Sequence, residues 1–320
     1  MKVVGTPIRI AVTALALSLS LSAPSDAKQD AASRIDQKVV QLYQAGKFAA
    51  AIPLAKQSLA LREKALGPGD EQVADAMNTL GILHYNQGNY AEAERLYQRS
   101  LAIYEKALGS DHTEVASSLN NLGELYRTQE RFDEAVPLLK RSLAIREAAV
   151  GLDHKDLAPA LSNLAATYGN EKRYAEAEPL LKRALAILVK TDGPDHPDLS
   201  IPLSNLADIY GNQHRYAEAE SLLKRSLALA EKWVGADHAN VAQALNNLAA
   251  LYGKQDRTAD AEPLFRRALA VADKAHGPNH PEVVTYLANL AAFYKAQGRD
   301  AEAAPLIKRA MGIRQKASSL

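Results

Sequence analysis

At 320 residues, with 47% hydrophobic, 23% charged and 6% aromatic side chains, the chain has the balance of a folded protein able to bury a core, which excludes a disordered or collagen-like one. Of 38 basic and 37 acidic residues, setting aside 1–27 removes Lys2, Arg9 and Asp26 and leaves 36 of each, so charge gives no case for nucleic acid or an anionic membrane surface. The absence of cysteine excludes disulfides, thiolate metal sites, cysteine nucleophiles and a lipoprotein anchor.

The chain opens on Lys2 and Arg9, an apolar stretch at 10–23, and small and polar residues ending at Ser25-Asp26-Ala27. This is the pattern of a cleavable secretory signal, and an apolar stretch of 14 residues falls short of the roughly 20 that a spanning helix needs. Small residues at Ser25 and Ala27 place the cut after Ala27, whereas a cut after Ala23 would leave Pro24 just beyond it. The expected mature chain, 28–320, has no transmembrane segment and belongs in a periplasm or outside the cell.

From there on the sequence repeats. Gly67, Gly109, Gly151, Gly193, Gly235 and Gly277 stand 42 residues apart, with their surroundings in register. After the last five come Asp111-His112, Asp153-His154, Asp195-His196, Asp237-His238 and Asn279-His280, which read as an aspartate or asparagine N-cap, usually with an acid three residues on. A first helix follows, with an apolar stripe at Leu119, Leu122 and Tyr126 and at the matching Leu161, Leu164 and Tyr168, Leu203, Leu206 and Tyr210, and Leu245, Leu248 and Tyr252. Gly81, Gly123, Ala165, Ala207, Ala249 and Ala291 lie beside that stripe, where only a small side chain lets a second helix approach. A polar turn then leads to a second helix, opened by Tyr90, Phe132, Tyr174 or Tyr216 and carrying Ala93, Ala135, Ala177 or Ala219 three residues later. Glu178 with Lys182, Glu220 with Lys224 and Glu262 with Arg266 mark its solvated side, as do Lys-Arg pairs such as Lys140-Arg141 and Lys224-Arg225.

The run Leu119-Asn120-Asn121-Leu122-Gly123-Glu124-Leu125-Tyr126, then Phe132-Asp133-Glu134-Ala135, then Leu143-Ala144-Ile145, resembles a tetratricopeptide repeat. The 42-residue spacing and the turns Gly193 to Pro197 and Gly277 to Pro281 are similar to the kinesin light chain type. The resemblance covers roughly 31–317 and implies an all-α, superhelical solenoid of about seven helix pairs, with repeats at about 31–66, 67–108, 109–150, 151–192, 193–234, 235–276 and 277–318. Pair one departs from the pattern at Lys38, pair six at Thr258 and pair seven at Asp300. Atypical end repeats suit an array whose ends have no neighbour.

The resemblance also places a concave wall on the first helices, where such proteins bind partners. Asn121, Asn163, Asn205, Asn247 and Asn289 would form a ladder on it, each carboxamide offering a donor and an acceptor to an extended peptide. Beside them would lie Asn120, Glu124 and Arg127, then Asp208, then Asn246, with Gly169, Gly211 and Gly253 keeping the middle open. The alternative role for the asparagines is to bond the neighbouring helix. The lysines that clamp a terminal carboxylate in chaperone-tail receptors of this family have no counterpart, since Asn78, Asn120, Ser162, Ser204, Asn246 and Ala288 hold the first such position.

No H-E-x-x-H, P-loop or G-x-S-x-G motif is present, and histidines a whole helix pair apart cannot share one ion. The sequence reading is therefore a non-enzymatic scaffold without cofactor or metal, binding a protein or peptide partner in its groove. The competing reading is an assembly module of an envelope complex that associates through convex or terminal surfaces.

Overall fold

Each recurring glycine ends a helix in a conformation that side chains resist. Gly67, Gly109, Gly151, Gly193, Gly235 and Gly277 have φ between 79 and 92° and ψ between 148 and 167°. Nothing lies within 4 Å of where a Cβ would stand, so backbone conformation and not space requires glycine there. The computed structural model describes residues 27–319, and over them it is helical with no strand. All but the last residue of the expected signal segment lies outside the described residues.

Contacts divide the chain into two units, the first running to Leu152 and the second from Asp153 to Lys316. The first holds three helix pairs: α1 (Ala27–Gln44) with α2 (Phe48–Leu66), α3 (Glu71–Asn86) with α4 (Tyr90–Leu108), and α5 (Thr113–Thr128) with α6 (Phe132–Val150). The second holds four: α7 (Leu157–Asn170) with α8 (Tyr174–Asp192), α9 (Ser200–Asn212) with α10 (Tyr216–Val234), α11 (Ala239–Lys254) with α12 (Thr258–His276), and α13 (Val283–Ala296) with α14 (Asp300–Ser319). A short 3-10 turn, Pro197–Leu199, leads into α9. The second helices open at the aromatic residues the sequence marks, Tyr90, Phe132, Tyr174 and Tyr216.

The leucine stripes are the core. Leu119, Leu122, Leu161, Leu164, Leu203, Leu206, Leu245 and Leu248 are all buried, each contributing on the order of 1.5–3 kcal/mol. In the first unit Leu119 clusters with Tyr104 and Leu122 with Tyr97; in the second, Leu245 clusters with Val271, Val283, Leu287 and Ile313. The small residue beside the stripe works as expected. A Cβ on Gly81 would lie 2.6 Å from the Tyr97 ring and one on Gly123 2.7 Å from Leu139, while Ala165, Ala207, Ala249 and Ala291 are buried in the same role.

The capping residue is not the expected one. At all five turns the histidine accepts, through Nδ1, the backbone N–H two residues on: His112 from Glu114, His154 from Asp156, His196 from Asp198, His238 from Asn240 and His280 from Glu282, at 3.2–3.4 Å. Asp70, at the same register position before α3, does the same from Gln72 at 2.9 Å. The aspartates before the histidines stand one residue too early to cap. Three of the four reach lysines at the end of the next second helix instead, Asp153 to Lys190 and Asp195 to Lys232 at 2.7 and 2.8 Å, and Asp237 to Lys274, while Asp111 accepts from Ser110.

The turn closing each first helix needs a left-handed residue. Gly46, Gly88 and Gly298 provide it in three repeats, but Glu130, Lys172, His214 and Asp256 adopt φ of 56–63° in the other four.

Candidate functional site

The first helices carry two adjacent polar columns, one at the register of Asn121 and one at that of Asn120. The structure joins them across repeats. Asn121 Nδ2 of α5 donates to Asn78 Oδ1 of α3 at 3.0 Å, and Asn289 Nδ2 of α13 donates to Asn246 Oδ1 of α11 at 3.1 Å. An asparagine therefore reaches not its own equivalent but the residue just before that equivalent in the preceding repeat. Where that position holds a serine, the side chain is shorter and the pattern changes. Ser204 pairs with Ser226 at 3.2 Å, Asn247 accepts from Gln243 at 2.9 Å, and Asn205 Nδ2, like Asn246 Nδ2, is buried without an acceptor among the described residues.

Burial sorts the expected wall residues further. Asn246 is 0% exposed, and Asn163 and Asn289 are also buried. Asn120, Asn121, Asn205 and Asn247 are half-buried, and Asp208 is exposed, 3.3 Å from Lys254. Glu124 and Arg127, only 3% and 8% exposed, face each other in a bidentate ion pair within α5. Beside them Tyr85 Oη bonds Thr128 Oγ1 at 2.8 Å, and burial pushes the Tyr85 phenol up to about 12. The glycines expected to keep the wall open pack against the next first helix: a Cβ on Gly211 would lie 3.2 Å from Leu251, one on Gly169 3.7 Å from Ile209, and one on Gly253 3.8 Å from Phe293.

A second constellation recurs that the sequence reading missed. Arg131, Arg173, Arg215, Arg257 and Arg299 each stack over the tyrosine five residues earlier, with guanidinium carbon to ring centroid 3.6–4.4 Å. Each also bonds the acid three residues on: Glu134, Glu176, Glu218, Asp260 or Glu302. Four of them reach back to a glutamate of the preceding second helix, Arg131 to Glu94, Arg215 to Glu178, Arg257 to Glu220 and Arg299 to Glu262, at 2.6–3.1 Å. The same glutamates accept from the tyrosine hydroxyls of Tyr126, Tyr210, Tyr252 and Tyr294. Lys224, then Arg257 and Tyr252, hold the Glu220 carboxyl down at about 2. Val136 occupies the corresponding position for Arg173, which bonds Glu171 instead, and pair two lacks the clasp altogether because His84 and Asn89 replace its tyrosine and arginine. The legible signal was a tyrosine and an arginine five apart, with a glutamate 37 residues before the arginine.

The Lys-Arg pairs are likewise engaged. Arg141, Arg225 and Arg309 donate to turn carbonyls at Ser110, Pro194 and Pro278, at 2.7–3.0 Å, while Lys182 and Lys224 bond Glu178 and Glu220 within their own helices. Among the described residues, no cluster of three or more His, Asp or Glu side chains is arranged to hold a metal ion, and no helix is long and apolar enough to cross a membrane.

Antiparallel helix pairs, braced edge to edge and displaying polar residues along their first helices, define a helical-repeat protein built for protein–protein interaction. The chain belongs to the tetratricopeptide repeat family, whose sequence profile matches residues 33–106, 80–148, 156–232, 198–274 and 240–316. No curated protein matches it. Among solved structures it is similar to the nearly identical TPR-like repeats of a putative kinesin light chain from Podosopora anserina, with 25% identity, a TM-score of 0.57, and 65% of this chain and 98% of that one covered. It is also similar to BtubC (BKLC) from P. vanneervenii, at 22% identity and a TM-score of 0.52 over 73% of this chain and 91% of that one. The apo form of RapI shares the fold at 15% identity, with a TM-score of 0.65 over 90% of this chain and 99% of that one.

Proposed function

We propose that this protein is an exported scaffold, without catalytic chemistry of its own, whose first-helix wall binds an extended segment of a partner protein. The observation that carries the reading is the polar column of the first helices, where Asn121 in the first unit and Asn205 and Asn247 in the second stay half-buried and are not sealed into the core. The main chain of a bound segment can exchange hydrogen bonds with the exposed parts of such carboxamides. Asp208 and Lys254 balance each other beside it, which suits a partner segment without strong net charge. Asn163, Asn246, Asn289, Glu124 and Arg127 hold the wall together from within, and Asn120, Asn121, Asn205, Asn247 and Asp208 meet the partner.

The test compares residues 28–320 with the Asn205→Leu/Asn247→Leu variant for capture of partners from an envelope extract, followed by calorimetry on the purified partner. Two lost rungs at about 0.5–1.5 kcal/mol each predict a 5- to 150-fold weaker affinity with an unchanged melting temperature. Unweakened binding rejects the wall and favours assembly through convex or terminal surfaces. Export predicts Lys28 as the native N-terminus, read by intact mass; a cytosolic product retaining Met1 rejects it.

A further inference from the structure

The turn between α12 and α13 is set apart by the residue that precedes its glycine. His276 occupies a position held by Leu66, Leu108, Val150, Asp192 and Val234 in the other repeats, and its ring stacks on the capping His280 with centroids 5.0 Å apart and planes 21° from parallel. His280 is half-buried. Its Nδ1 accepts the Glu282 amide at 3.2 Å, so the neutral ring carries its proton on Nε2, which is buried without a partner among the described residues. A second proton would have to sit on Nδ1, setting an N–H donor against the Glu282 N–H and a positive charge at the positive end of the α13 dipole.

The neighbouring charges offer little relief. Glu282 on the same turn is the one acid that favours a charged His280, and burial outweighs it, holding the imidazole below the ordinary histidine value. Asp273 of α12 is engaged by Arg309 of α14, which also donates to the Pro278 carbonyl. His276 covers one face of the His280 ring and withdraws it from water. The equivalent turn before α9 is the natural control: there Asp192 takes the place of His276 opposite the capping His196. Asp70, which caps α3 in the histidine position, shows that a carboxylate can do the same work.

We propose that His276 and His280 form an acid-responsive latch on the start of α13, which frees the α12–α13 turn when the medium is acidified. The neutral state of His280 is the folded one, so its contribution is full above the ordinary histidine range and is lost as pH falls. Release loosens the N-terminal turn of the helix that carries Asn289, the donor to Asn246.

Amide hydrogen exchange on the full chain at pH 7.5 and 5.0, corrected for intrinsic rates, tests this. The expected result is about a tenfold loss of protection over 278–290 at pH 5.0, with no matching loss over 194–206. His276→Val should reduce the loss, and His280→Asp should abolish it, because aspartate remains an acceptor at pH 5.0. Unchanged protection over 278–290 at pH 5.0, an equal loss over 194–206, or an undiminished loss in His280→Asp would each overturn the latch.

Discussion

The two units answer one packing question differently. At the register of residue 127, the first unit places bulk: Tyr85 in α3 and Arg127 in α5, the latter locked to Glu124. The second places Gly169, Gly211 and Gly253, and α7, α9, α11 and α13 approach one another closely where α3 and α5 do not. A buried ion pair fills space in one, and backbone proximity removes the space in the other. Polar filling has a steep dependence on both partners, since each desolvated charge requires its counterpart. Glycine filling depends on whether the facing side chain can give.

Removing one charge should break the first arrangement with the largest effect. Arg127→Ala leaves Glu124 buried and uncompensated and is expected to cost about 3–5 kcal/mol in urea unfolding, whereas Glu124→Leu/Arg127→Leu should recover most of it. Failure of the double variant to recover would mean that the pair sets the wall's geometry as well as filling it.

Acid probes the clasp of the second unit. The carboxyls of Glu178, Glu220 and Glu262 are held below their ordinary value chiefly by Lys182, Lys224 and Arg299, respectively. Because their folded values lie below the unfolded ones, their contribution is complete above about 4.5 and lost as pH falls toward about 2 for Glu220. Urea midpoints at pH 7, 4 and 2.5 should fall along that window, and Glu220→Gln should flatten the slope. Within the same unit, Arg215→Ala removes bonds to both Glu178 and Glu218, while Arg173→Ala removes none to a preceding second helix. Arg215→Ala is expected to cost about 1 kcal/mol more, and equal costs would show that the tyrosine stacking alone matters.

The smallest effects test glycine filling. Gly253→Ala meets Phe293 at ordinary contact distance and should stabilise by about 0.5 kcal/mol through lower unfolded-state entropy, whereas Gly211→Ala meets Leu251 at 3.2 Å and should be neutral or destabilising. Equal melting temperatures for the two variants would remove the distinction.

Much of this was legible in one sequence, because a repeat states its own rules several times. The 42-residue period, the helix pairing, the leucine stripe and the small residue beside it follow from hydrophobic spacing and side-chain size, which act locally and appear in the structure where the sequence places them. The sequence also marked the turn as a cap but assigned it to the aspartate, since residue type alone cannot distinguish neighbouring acceptors; the path of the backbone gives the N–H to His112 and its equivalents and sends Asp153, Asp195 and Asp237 to lysines. Only tertiary structure decided which asparagines turn inward. Asn289 and Asn205 hold the same register in the chain, yet Asn289 is buried and donates to Asn246 across 43 residues, while Asn205 is half-buried and stands one repeat after the shorter Ser162. The physical reason is reach: periodicity determines which face of a helix a residue occupies, but a hydrogen bond between repeats depends on distances of a few tenths of an ångström that neighbouring helices set together.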